Sequence, residues 1–366
     1  MILWTFLTLV FYFIYKYKLK CKRPTLLCGN RNTVDLLKKN CPSFSVIYRP
    51  TFYCFEGRFL TIISNIFRQS DTIEYRRQFL DTYDGGSVAI DWLEHVNLEW
   101  EPPIVIIVPG LVANSSSGYV VKYAKHLFDS GFDCAVYIFR GVSGVPVKTP
   151  LSHHAAFTDD LDIIVNTISC QYPKRKLHIL ATSLGAIMTF NYLSKSIINN
   201  KISSVVNVSM PWNLIASSLQ LAKLPDKWLF SHYLVKQLIA MWHSHKNVFS
   251  EIDCSENQVN ACKTILDFDK CFITKMAGYK SVDDYYIDSS PMFKTCCITT
   301  PLLVINAEDD VFTLRETWPI DEILKNPNIT LANYAAGGHV GFGTTFHPGN
   351  MHINTVISEY FHLYSL

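Results

Sequence analysis

The chain has 366 residues, longer than one ordinary domain, and its 33 Lys+Arg against 31 Asp+Glu leave a net charge of +2, so no basic field for nucleic acid is present. A hydrophobic share of 49% with only 17% charged residues excludes disorder or a coiled coil as the main theme. Only one stretch could sit in a bilayer, which excludes a polytopic membrane protein.

That stretch comes first. Residues 1–15, MILWTFLTLVFYFIY, carry no charge, and Lys16, Lys18, Lys20, Lys22 and Arg23 follow at once. A helix over the run spans about 22 Å, short of the roughly 30 Å hydrocarbon core, but Tyr15, Tyr17 and the long stems of Lys16 and Lys18 extend it. Basic residues placed after the run argue against a cleaved leader, and a run apolar all round does not suit a core helix. Residues 1–23 are therefore expected to form a single-pass transmembrane anchor on an endomembrane such as the endoplasmic reticulum. Positive residues after the anchor favour a cytoplasmic body. The 11 cysteines form no framework of repeated spacings and include no CxxC, which fits free thiols in a reducing compartment. Glycosylation sequons occur at Asn114, Asn207 and Asn328, but Asn207 lies in the apolar run SSVVNVS, where a glycan cannot fit.

Residues 24–85 are mixed and aromatic, and read as an N-terminal extension packing on the core. From about residue 86 the pattern alternates. Short β-branched runs at 87–92, 104–108, 134–139, 176–181, 204–209, 302–306 and 329–334 predict strands. Helix-like stretches at 119–130, 159–170, 184–198, 315–325 and 354–366 lie between most of them or after the last. The predicted fold of 86–366 is α/β, a mostly parallel sheet with helices on both faces. Residues 213–290 contain no clear strand and read as a helical insertion within that domain. Trp212, Trp228, Leu229, Phe230, Trp242 and Phe249 are expected to make it a lid and acyl-binding wall, with some of these aromatics going to a core.

The informative spot is KLHILATSLGA at 176–186: an apolar strand, a tight turn at Ser183, then helix-forming residues. A nucleophilic serine on a strained strand-to-helix turn needs small residues two positions before and two after it. Gly185 meets the second requirement, and Ala181 stands where the strict G-x-S-x-G pattern has its first glycine. A serine needs a base, and the base an orienting acid, in the chain order Ser, acid, His. Glu308, Asp309 and Asp310 follow the strand at 302–306, and His339 lies in the glycine loop after the strand at 329–334. Both positions are at carboxyl ends of strands, where α/β sheets place their ligands. Oxyanion donors are expected from the backbone N–H groups of Leu111, after Pro109-Gly110, and Leu184.

Other constellations carry less. His154 to Asp159 matches an H-x-x-x-x-D acyltransferase pattern, but Asp159 and Asp160 follow Thr158 where a helix start favours acids. Nucleotide-binding glycine motifs and closed metal-ligand spacings are absent from the sequence, so no cofactor and no metal are expected.

At these residues the chain resembles the α/β-hydrolase superfamily, and within it the membrane-anchored α/β-hydrolase-domain (ABHD) lipases with their bacterial esterase relatives. The matching segments include VPGLVANSSSGYV at 108–120, ATSLGAIMTFNYL at 181–193, FDKCFITKMAGYKSVDDYYIDSSP at 268–291, PLLVINAEDD at 301–310 and GGHVGF at 338–343. The resemblance extends over about 40–366. It implies Ser183 as nucleophile, Asp310 as acid and His339 as base. Family members are usually described as single-pass membrane proteins acting on glycerophospholipids or acylglycerols. The resemblance thus implies a serine hydrolase of lipid esters, a phospholipase before an acylglycerol lipase, with a membrane as partner. It also implies a body on the side opposite to the one favoured by the basic flank. The competing expectations are a catalytically silent membrane scaffold on this fold, and an acyltransferase using His154 and Asp159.

Overall fold

The computed structural model describes residues 2–68, 72–96, 100–195 and 201–365. Helix α1 (Ile2–Lys20) opens the chain. Among the described residues no helix is long and apolar enough to cross a membrane. Lys16, Lys18 and Lys20 fall inside α1, and its tyrosines and Trp4 add polar handles along it. Trp4 and Phe11 on this helix are exposed, at 75% and 69%.

Three further elements precede the expected core and a fourth adjoins it: β1 (Thr25–Leu27), α2 (Arg31–Asn40), α3 (Gly57–Phe67) and β2 (Arg76–Asp81). The core follows as β3 (Ser87–Leu93), β4 (Ile104–Val108), α4 (Gly118–Asp129), β5 (Asp133–Ile138), α5 (Asp159–Gln171), β6 (Leu177–Thr182), α6 (Leu184–Lys195) and β7 (Ile202–Val208). After a long helical insertion come β8 (Leu302–Ala307), β9 (Ile329–Tyr334) and a last helix at Ile353–Leu363. The strands form one nine-stranded sheet in the order β1-β9-β8-β7-β6-β4-β5-β3-β2. β9, β8, β7, β6, β4 and β5 run parallel, while β1, β3 and β2 are antiparallel to their neighbours.

Every residue of β4, β5, β6 and β8 is buried, because a parallel strand is covered on both faces. The alternation is visible within β4. Ile104, Ile106 and Val108 join the apolar cluster under α5, α6 and the insertion, while Val105 and Ile107 join the cluster under α2, α4 and the last helix. All seven sequence-predicted strands are present, within two residues at either end. The two outermost strands were not predicted; both come from residues 24–85, where three-residue β1 and charged β2 (RRQFLD) lack the apolar signature.

The predicted helix at 315–325 is split at Pro319 into a turn at Arg315–Thr317 and a helix at Ile320–Lys325, since proline lacks the amide a continuous helix needs. The predicted helix ends at 196–198 and at 366 lie outside the described residues. Asn207 is fully buried in β7 and donates from its amide to the Ala186 carbonyl (3.1 Å), so no glycan fits there in the folded protein.

Candidate active site

β6 delivers Ser183 at its carboxyl end and α6 begins at the next residue. Ser183 has φ +51°, the left-handed region that a non-glycine residue occupies only under constraint. The constraint is close packing against the end of β4. A Cβ on Gly185 would lie 2.3 Å from the Pro109 carbonyl oxygen and 2.4 Å from that of Val108, so only glycine fits two residues after the serine. Ala181, two residues before it, is fully buried in the apolar cluster, where its methyl packs without opening the turn.

β8 and β9 deliver the other two groups. The Ser183 hydroxyl donates to His339 Nε2 (2.8 Å), and His339 Nδ1–H donates to Asp310 Oδ2 (2.9 Å). Asp310 is buried, and its other oxygen accepts from the Phe312 amide (2.8 Å). The Phe312 ring stacks on the imidazole with centroids 4.0 Å apart, which fixes the ring plane. Of the three adjacent acids, only Asp310 faces His339. Glu308 is exposed and accepts from Asn333 Nδ2 (2.8 Å), while Asp309 turns to the amides of Gly337 and Gly338 (both 3.0 Å). Burial pushes the Asp309 carboxyl up to about 6, with Lys20 and the two amides opposing.

Leu111 and Leu184 border the same cavity as Ser183. The first amides of a helix have no partner within it, so Leu184 N–H at the start of α6 is available to an anion. The turn at Gly110 is fixed by Tyr119, whose phenolic oxygen accepts from Gly110 N–H (2.8 Å) and from the Thr182 hydroxyl (3.3 Å).

The cavity, about 130 Å³, is narrow, and the insertion forms much of its wall through Leu214, Leu238, Met241, Ile265 and Phe268. None of the six aromatic or leucine side chains expected there lines it. Trp212, Trp242 and Phe249 pack into the main apolar cluster, Phe230 into a smaller one with Leu229 against it, and Trp228 is exposed. Burial keeps the wall imidazoles neutral, lowering His153 to about 4 and His154 to about 3, and pushes Asp269 up to about 7 although the Tyr286 hydroxyl donates to it (2.8 Å). A largely apolar interior of aliphatic and aromatic side chains with neutral imidazoles suits an acyl chain. Asp159 is exposed at the start of α5, away from the buried His154, so the structure does not join them into one site. Among the described residues no group of three or more His, Cys, Asp and Glu side chains converges as a metal site would.

Nothing in the sequence marks Tyr119, Thr61, Arg68, Ser209 or the role of Asp309. Thr61 Oγ1 accepts from the His339 amide (2.8 Å), Ser209 Oγ accepts from the Val340 amide (2.9 Å), and Arg68 donates to the carbonyls of Val340 (2.6 Å) and Gly341.

Residues 103–253 match the family of the alpha/beta hydrolase fold. Among known proteins, phospholipase ABHD3 of Mus musculus is 32% identical over 327 residues, 88% of this chain and 79% of its own length. Monoacylglycerol lipase of Saccharomyces cerevisiae is 29% identical over 253 residues, 68% of this chain and 56% of its own. An esterase of Pyrococcus furiosus shares the fold, with a TM-score of 0.53 at 17% identity over 80% of this chain and 92% of that one.

Proposed function

The chain belongs to the α/β-hydrolase family, in the ABHD branch with its bacterial esterase relatives, and from that premise we propose a lipid ester hydrolase that cleaves glycerophospholipids through an acyl-enzyme on Ser183. His339 Nε2 takes the Ser183 proton as Oγ attacks the ester carbonyl, and Asp310 holds the imidazole and stabilises its charge. The oxyanion rests on the N–H groups of Leu111 and Leu184. The imidazolium returns the proton to the leaving alcohol, and water, activated by the same histidine, then releases the fatty acid. The observation that carries this reading is His339 bridging Ser183 and Asp310, at 2.8 and 2.9 Å, at a largely apolar cavity.

Residues 213–290 act as the lid and acyl wall of 86–366, and residues 1–23 attach the enzyme to a membrane. The exposed Trp4 and Phe11, the lysines at the end of α1, and the exposed Leu224 and Trp228 on the insertion support contact with a lipid surface. The test is fluorophosphonate labelling together with fatty-acid release from phosphatidylcholine vesicles. The wild type should label and release fatty acid, and Ser183→Ala should do neither, with a loss of about 10⁴–10⁶ in kcat. Ser183→Ala activity within about tenfold of wild type would sink the assignment.

A further inference from the structure

The loop carrying His339 is unusual in how it is held. Gly338, Val340 and Phe342 all have positive φ, at +57°, +57° and +48°, so two of the three positions hold side chains where glycine is preferred. Such a loop keeps its shape only if its surroundings impose it. Asp309 takes the two amides before His339, Thr61 takes the amide of His339 itself, and Arg68 takes the carbonyls after it. Thr61 lies on α3 and Arg68 directly follows it.

Asp309 has a further partner. Its second oxygen lies 3.7 Å from Nζ of Lys20, the last residue of α1, and the same ammonium donates to the Ala335 carbonyl (2.8 Å) on the way from β9 to His339. A fully exposed pair of this length would contribute about 0–1 kcal/mol. Here the Asp309 side chain is only 11% exposed, and its charge strengthens the bonds from Gly337 and Gly338. Helix α1 is seated by Phe13 and Tyr17 packing edge-on against Phe55, just ahead of α3.

We infer that the seating of α1 governs the reactivity of His339, with Lys20 and Asp309 as positioning residues that link the membrane-facing helix to the histidine loop. This rests on His339 being the base of the Ser183 reaction. When α1 is displaced, Ala335 loses its donor and Asp309 its cation, the loop relaxes, and the imidazole drifts from Ser183. Turnover of even a soluble ester therefore depends on a helix that does not contact the substrate.

The test uses the full chain in detergent micelles with p-nitrophenyl butyrate, comparing wild type, Lys20→Met, Lys20→Arg, Asp309→Asn and Ser183→Ala. Lys20→Met and Asp309→Asn should each lower kcat about ten- to hundredfold with KM nearly unchanged, the scale of a lost charged hydrogen bond. Both should slow fluorophosphonate labelling in parallel, and Lys20→Arg, which keeps the charge and the donor, should recover most of the loss. The inference is overturned if Lys20→Met keeps wild-type kcat and labelling rate, if its loss appears in KM alone, or if Lys20→Arg is as impaired as Lys20→Met. A wild type that does not label, together with an active Ser183→Ala, would overturn the catalytic reading and this inference with it.

Discussion

Ser183 and His339 are hydrogen-bonded to each other, yet the two regions that hold them work differently. The sheet places Ser183 by backbone alone: β6 lies between β4 and β7, and the turn into α6 is forced by contact with the end of β4. The histidine loop has left its strand and borrows its shape from Lys20, Thr61 and Arg68, side chains far away in the sequence. A strand end inherits its position from a ladder of many bonds, so no single side chain outside it is decisive. A loop built on positive φ angles concentrates the same task in a few donors and acceptors, each of which can be removed.

The comparison can be broken or sharpened by substitution. The largest effect is expected at Asp310→Asn, which should stay folded and lose about 10⁴ in kcat, because the amide cannot hold the imidazole in the tautomer that accepts from serine. If Asp309→Asn proved the dead variant and Asp310→Asn stayed active, the two carboxyls would have exchanged roles. Next, Arg68→Met keeps much of the buried volume but removes the donors to Val340 and Gly341. It should cost about tenfold to a hundredfold in kcat on a soluble ester; unchanged steady-state kinetics would show that the loop holds its own shape.

A smaller effect separates a carboxyl in the cavity wall from one in the loop. Burial raises Asp269 to about 7, so its ionised form is disfavoured in the fold. The stability linked to the neutral acid is therefore full below about pH 4 and is lost as pH rises through about 7, a swing of up to about 4 kcal/mol. Asp269→Asn should raise Tm by several degrees at pH 8 and much less at pH 5; equal shifts at both would contradict a buried, titrating acid. The smallest effect is expected at Ala181→Gly, which restores the smaller residue of the serine turn. It should cost about 0.5–1 kcal/mol in chemical denaturation through backbone entropy, with esterase activity close to wild type. A large gain in activity would mean that the Ala181 methyl strains the turn.

The parts of the site visible in the sequence are those attached to buried strands. Ser183, Asp310 and His339 each follow a mostly apolar run that is buried almost throughout, and the order serine, acid, histidine ties them to one fold. Thr61 and Arg68 reach the loop across 278 and 272 residues, and nothing local marks a threonine or arginine for such a contact. The insertion is legible as helical, but large apolar side chains do not announce whether they face a core or a cavity, and here Leu214, Leu238, Met241, Ile265 and Phe268 face the cavity.

Lys20 and Ala335 are hydrogen-bonded across 315 residues of chain. Closing a loop of that length costs about 5 kcal/mol in chain entropy, recovered only when both ends are present. On the ribosome, α1 and β1 emerge long before β9 and must wait, exposed and unpaired, for it to be made. The exposed apolar side chains of α1 are thus open to a chaperone or a nearby bilayer throughout that interval. His339 acquires its supports only after both α1 and β9 are made, so a chain clipped of α1 should hydrolyse a soluble ester more slowly than one that keeps it.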